Sequence, residues 1–85
     1  MNNRLFVAGL PWAYGDEELK GLFAPFGKIT YARVSLHRDT GKSRGFGFVE
    51  FSDSHDAEVA IHEMNGKQVD KRKIVVNIAR PREDR

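Results

Sequence analysis

The chain has 85 residues, of which 40% are hydrophobic and nine are aromatic, and a net charge of +2; that is enough apolar surface for one small core and too little length for two. It contains no cysteine, which excludes a disulfide framework, a thiolate zinc site and a cysteine nucleophile. No apolar run approaches the roughly 18 residues of a membrane span, and the N-terminus lacks the charged and apolar segments of a secretion signal; a soluble, unprocessed, cytoplasmic chain is expected, with nuclear or organellar sites left open.

The first strand is predicted over Leu5 to Leu10. After it, Leu19, Leu22, Phe23 and Phe26 recur at i, i+3, i+4 and i+7, one face of a helix that Gly15 or Asp16 starts and Pro25 with Gly27 ends. Strands follow over Ile29 to Leu36 and Arg44 to Phe51, joined across His37 to Ser43, where Asp39-Thr40-Gly41 suits a hairpin. Ala57, Ala60, Ile61 and Met64 repeat the helical spacing between Ser54 and Gly66, and a last strand covers Ile74 to Ala79. The order is β-α-β-β-α-β, an α+β class. Each β-α-β half predicts parallel strands joined by a right-handed crossover, so a four-stranded mixed antiparallel sheet with two helices on one face is expected.

Charge is distributed unevenly over this order. The helical segments 16–26 and 53–64 hold seven carboxylates against Lys20, a net of −6, so the remainder carries +8 to reach the overall +2. With both helices on one side, the opposite side of the sheet becomes a basic surface able to attract a polyanion.

Strand alternation decides which side chains the helices cover, because successive residues point to opposite faces. One set is aliphatic: Leu5, Val7, Val34, Leu36, Val49, Phe51, Ile74, Val76 and Ile78. The other mixes arginine with aromatics: Arg4, Phe6 and Ala8, then Tyr31, Arg33 and Ser35, then Arg44, Phe46, Phe48 and Glu50, then Val75, Asn77 and Ala79. Burying the second set would cost several kcal/mol per unpaired charge, whereas exposing Phe46 and Phe48 forgoes about 1.5 to 3 kcal/mol each. The aliphatic set therefore faces the helices, with Gly45 and Gly47 leaving room for their close approach. The open face then displays rings that can stack unpaired bases beside arginines that can neutralise phosphates.

The run Arg44-Gly45-Phe46-Gly47-Phe48-Val49-Glu50-Phe51 matches every constrained position of the RNP1 motif and resembles the RNA recognition motif family. Leu5-Phe6-Val7-Ala8-Gly9-Leu10 is similar to the RNP2 partner, with its aromatic in second place, although Ala8 stands where many members carry a polar residue. The resemblance covers residues 4 to 81, and implies a single domain with a ferredoxin-like two-layer sandwich and a short charged tail at 82–85. It also implies a monomer that binds single-stranded RNA of about two to four nucleotides without cofactor or covalent chemistry. By position in the family, Phe6 and Phe48 would stack successive bases, Phe46 would pack on ribose and Arg44 would pair with a phosphate. Asn77, Ala79 and Arg80 would read base edges at the end of the last strand, with Arg82 continuing the path. Arg4, Tyr31, Arg33 and Lys42 would extend the site. Two other ligands stay open: single-stranded DNA, because stacking tolerates either sugar, and a protein partner held on the sheet or helix face.

Other constellations carry less. Trp12 and Tyr14 are expected to pack against the helix ends, outside the site. Lys71-Arg72-Lys73 is basic but falls in the turn before the last strand. Gly41-Lys42-Ser43 lacks the earlier glycine of a phosphate loop, since Leu36 occupies that place and a strand follows. His55 and His62 sit seven residues apart on a helix, about 10 Å, too far to share one metal. No metal site and no enzyme activity are expected.

Overall fold

The computed structural model describes residues 3–79. In chain order the elements are β1 (Arg4–Ala8), α1 (Asp16–Phe23), a 3-10 turn (Ala24–Phe26), β2 (Ile29–Leu36), β3 (Ser43–Phe51), α2 (Ser54–Met64), β4 (Gln68–Val69), β5 (Arg72–Lys73) and β6 (Val75–Ile78). The first helix is shorter than its apolar spacing predicts. Pro25 has no N–H to continue the α ladder, so the chain tightens into the 3-10 turn from Ala24.

Each helix is anchored at its ends by side chains. The Gly15 amide donates to Glu18 Oε1 at 2.9 Å, half of a capping box. The second helix is capped by Asp53, one residue before the predicted Ser54, whose Oδ1 accepts from the His55 amide at 2.9 Å. At its far end Asn65 Oδ1 accepts from the Val76 amide at 3.0 Å, which ties α2 to the last strand.

The main sheet has the order β2-β3-β1-β6, and every neighbouring pair is antiparallel. The mixed sheet expected from the β-α-β halves thus has no parallel neighbours among the described residues. The parallel partners are interleaved, with β3 between β1 and β2, and β1 between β3 and β6. The reason is width: a helix about 10 Å across covers two strand spacings of about 4.8 Å, so its crossover skips one strand. This interleaving puts the two motif-bearing strands, β1 and β3, side by side at the centre.

Between α2 and β6 lies an element that the sequence reading lacks, a two-stranded ribbon pairing Gln68 with Lys73 and Val69 with Arg72. Asp70 and Lys71 turn it with positive φ values of 49° and 71°. Two left-handed residues match the right-handed twist of a tight hairpin, but the usual glycine or asparagine signal is absent, so Lys71-Arg72-Lys73 looked like plain turn.

The core lies between the helices and one face of the sheet. Leu5, Val7, Val49, Phe51, Ile74 and Val76 are buried against Leu19 and Phe23 of α1 and against Ala57, Ala60 and Met64 of α2. No polar or charged residue is buried among the described residues. Leu36 departs from the expected inner set at 54% exposure. The β2–β3 register shifts between Val34 and Leu36, so the end of β2 leaves the strict alternation. Gly47 has the predicted role: a Cβ there would lie 3.0 Å from Leu19 Cδ2 of α1. Gly45 does not, since nothing of the helices comes near it; its φ of +86° is the reason for glycine.

Because β2 is an edge strand, its free amides need cover. Asp16, the first residue of α1, accepts from the Val34 amide at 2.8 Å through Oδ1. Asp16→Ala is expected to lower stability by about 1 to 2 kcal/mol, the range for a partly solvated bond to a charged acceptor. Urea denaturation reads the loss, and hydrogen exchange should quicken at Val34. Unchanged stability and exchange would show that water replaces the carboxylate at no cost.

Candidate nucleic-acid interface

The open face of the sheet is set by cross-strand register. Phe6 faces Phe48 on β3 and Asn77 on β6, while Phe48 faces Arg33 on β2. One row across the sheet therefore reads Arg33, Phe48, Phe6, Asn77. The row beside it reads Tyr31, Glu50, Arg4, with the Ala79 amide donating to the Arg4 carbonyl at 2.8 Å. On the other side, Ala8 faces both Phe46 and Val75.

Three phenylalanines make one cluster at the centre. Ring centroids of Phe6 lie 5.5 Å from Phe46 and 5.6 Å from Phe48, and those of Phe46 and Phe48 are 6.3 Å apart with the rings at 89°. These are attractive tilted and edge contacts, so each ring is held in place by the other two. All three are half-buried. Part of each ring therefore remains open to a stacking partner, and little conformational freedom is left to lose on binding.

The cations around the cluster are placed differently from one another. Arg44 lies over the Phe46 ring at 5.3 Å. The Arg4 guanidinium sits 5.1 Å from the Tyr31 ring and 5.9 Å from Phe48, and its Nε is 3.7 Å from Glu50 Oε1. Arg33 Nε is 3.8 Å from Asp16 Oδ2. Two of the expected phosphate ligands thus already have a carboxylate nearby, which lowers the positive potential along the β2 side of the face. Both pairs are exposed enough to be weak and exchangeable. Stacked against the rings, Arg4 also offers a flat cationic surface rather than a simple point charge.

Of the residues singled out in the sequence, Arg4, Phe6, Tyr31, Arg33, Arg44, Phe46, Phe48 and Asn77 share this face, and Ala79 follows at the end of β6 with its amide bonded to the Arg4 carbonyl. Lys42 stands apart, exposed in the β2–β3 hairpin. Arg80 and Arg82 lie outside the described residues. Two residues that the sequence placed on the face, but not in the site, belong with it: Glu50, which holds Arg4, and Val75, which is 46% exposed beside Ala8. Alternation alone gave their side; their neighbours needed the register.

Trp12 corrects an expectation. It is 75% exposed in the loop after β1, whereas Tyr14, for which the same packing was expected, is partly buried against the core cluster. Trp12 borders an open groove whose other side is lined by Leu36, Gly41 and Lys42.

Fold and surface together define an open-faced α+β sandwich with an aromatic cluster at the centre of its sheet. A model of the RNA recognition motif matches residues 5–75, and the chain belongs to that family. It is 51% identical to the glycine-rich RNA-binding protein 10 of Brassica napus over 93% of this chain and 47% of the relative. It is 50% identical to the mitochondrial glycine-rich RNA-binding protein 4 of Arabidopsis thaliana, over 96% of this chain and 60% of that protein. The chain thus spans about half the length of the relatives it matches. Among solved structures, a Sxl-lethal protein/RNA complex superimposes with a TM-score of 0.92 at 36% identity, covering 99% of this chain and 50% of that one.

Proposed function

We propose that this chain binds single-stranded RNA on the open face of its sheet. The observation that carries the reading is the cluster of Phe6, Phe46 and Phe48, three mutually braced and half-exposed rings on the central strands. Bases in a duplex are stacked on one another and cannot reach these rings, whereas an unpaired segment can. In this reading Phe6 and Phe48 each take a base, Phe46 packs on a ribose, and Arg44 meets a phosphate. Asn77 and Ala79 line the β6 end, and Arg80 and Arg82, next in sequence, add RNA contacts in this reading. Arg4, Tyr31 and Arg33 form the β2 side, and Lys42 adds charge from the hairpin. The binding unit runs over about residues 4–81, acts as a monomer and serves to hold RNA unpaired, as chaperoning, stabilisation or processing of transcripts requires. The cytoplasm or an organelle would both supply such RNA; the mitochondrial name belongs to the relative.

The test is a titration of isotope-labelled protein with short random RNA and matched DNA pools at two salt concentrations. Amide shifts at Phe6, Arg44 to Phe48 and Asn77, larger for RNA, are the expected result. Equal shifts with DNA would remove the 2′-hydroxyl from recognition, and shifts confined to α1 and α2 would turn the search to a protein partner. Within the same assay, Arg44→Ala should weaken binding across sequences and make the salt slope shallower by about 0.7, the share of one phosphate on a single strand. An unchanged slope would take the phosphate away from Arg44.

A further inference from the structure

Asn65 and Gly66 form the joint between α2 and the last strands. Asn65 closes α2, its amide donating to the Ile61 carbonyl at 2.9 Å, and the residue is exposed. Its Oδ1 accepts from the Val76 amide at 3.0 Å, while the Gly66 amide donates to the Ile74 carbonyl at 2.8 Å. Gly66 turns the chain with a φ of +83°, and a Cβ on it would meet nothing within 4 Å. The left-handed backbone, not crowding, is therefore what asks for glycine here.

This pairing also has a chemical consequence. The side-chain amide of an asparagine can be attacked by the main-chain nitrogen of the next residue, closing a succinimide ring. A side chain on that next residue hinders the approach, and glycine has none. Asn65 is the one asparagine of the sequence that precedes glycine, since Asn3 precedes Arg4 and Asn77 precedes Ile78. In the fold, both reacting groups are occupied: the Gly66 N–H by the Ile74 carbonyl, and the Asn65 amide oxygen by the Val76 amide. Both bonds must break together before the ring can close, so the reaction waits on local separation of the end of α2 from residues 74–76. Asn65, Gly66, Lys67 and Gln68 are all exposed, and water reaches the ring once it forms.

We propose that Asn65 is a site of spontaneous covalent modification, latched by Ile74 and Val76 and released when the joint between α2 and β6 opens. The Gly66 nitrogen loses its proton and bonds to Asn65 Cγ, the bond from Cγ to the amide nitrogen breaks, and ammonia leaves with the proton. Water then opens the ring and the proton returns to the Gly66 nitrogen. Attack at Cγ gives aspartate with the chain unchanged. Attack at the main-chain carbonyl gives isoaspartate, in which the chain runs through Cγ and gains a methylene. Aspartate still offers an oxygen to the Val76 amide. Isoaspartate moves that acceptor out of place, which unties α2 from β6, the strand that carries Asn77. Each opening that goes on to react is thus recorded permanently in the chain.

The test holds the protein in buffer and in guanidinium chloride at one pH and temperature, and weighs the peptides containing Asn3, Asn65 and Asn77 over time. In denaturant the Asn65 peptide should change from the mass of the amide to that of the acid well before the other two. Native protein should react at least roughly 5-fold more slowly, the lower bound set by two ordinary hydrogen bonds. Met64→Ala loosens the last turn of α2, where Met64 is buried, and should raise the native rate while leaving the denatured rate unchanged. Hydrogen exchange at Gly66 and Val76 should quicken with it. Gly66→Ala should slow the reaction in denaturant, where the strain of a positive φ has no part. After separation of the products, exchange at Val76 should be fast in the isoaspartyl form and remain slow in Asn65→Asp. Asn3 or Asn77 reacting as fast as Asn65 in denaturant would overturn the site. Equal rates in native and denatured parent would overturn the latch, and equal Val76 exchange in the isoaspartyl form and in Asn65→Asp would overturn the untying of β6. None of these measurements involves RNA, so their failure leaves the RNA-binding reading standing.

Discussion

Replacing Phe48 by alanine is expected to weaken RNA binding by about 1 to 3 kcal/mol, the value of one base stacked on an aromatic ring, while the protein still unfolds cooperatively. Phe48 sits on the outer face of central strand β3, opposite Phe6 and Arg33, with its ring 5.6 Å from Phe6 and the Arg4 guanidinium 5.9 Å away. Truncation removes a stacking surface and also one of the two rings that steady Phe6. The loss should therefore not add simply to that of Phe6→Ala, because the two side chains act on one another. The stability change should be small, about 1 kcal/mol, since the ring contributes edge contacts rather than core volume. Anisotropy with labelled RNA reads the first quantity and urea denaturation the second. A variant that binds as the parent does would remove the central ring from the site. Loss of cooperative unfolding would make Phe48 a core residue and reverse the two faces of the sheet.

The largest effect on stability is expected at Gly47, whose replacement by alanine should cost about 1 to 3 kcal/mol or more. A Cβ at this position would fall 2.5 Å from the Arg33 carbonyl oxygen and 3.0 Å from both Val34 Cα and Leu19 Cδ2. Two of those atoms are β2 backbone, so relief demands that β2 or α1 move away from β3, and the pairing of β2 with β3 loosens. The urea midpoint should fall with the slope unchanged, which marks a change in stability rather than in the unfolded state. Gly21→Ala is the control: Gly21 lies within α1, its Cβ would meet nothing within 4 Å, and alanine there should stabilise the helix by about 0.5 to 1 kcal/mol. Equal effects of the two substitutions would show that backbone freedom, not close packing, decides both.

Much of this molecule is legible in its sequence because its signals are local. Leu19 and Phe23, spaced by one helical turn, are both buried, and so are Ala57, Ala60 and Met64 on α2. Alternation along β3 put Val49 and Phe51 inward and Phe46 and Phe48 outward, as the structure has them. The same alternation failed at Leu36, because a register shift is a property of two strands and leaves no mark on one. The β4–β5 ribbon escaped because Asp70 and Lys71 adopt positive φ without the residues that usually advertise it. Helix ends, too, are legible: Asp53 caps α2 one residue before the expected Ser54, and Pro25, whose missing amide stops the α ladder, ends α1 with Gly27 closing the 3-10 turn behind it.

The site divides along the same line. The sequence by itself determined which residues could bind, since period-two alternation and the Arg44 to Phe51 motif place aromatics and arginines on one face. Only the tertiary structure decided how they meet. Crossovers wide enough to skip a strand bring β1 beside β3, which gathers Phe6, Phe46 and Phe48 into one cluster. Register then sets Glu50 against Arg4, and the docking of α1 on the β2 edge sets Asp16 against Arg33, so two arginines that read as free cations carry partners. Trp12 remained in water for a related reason: what covers a loop residue depends on the distant segments packed around it, and the β2–β3 hairpin opposite leaves a groove there instead of a lid.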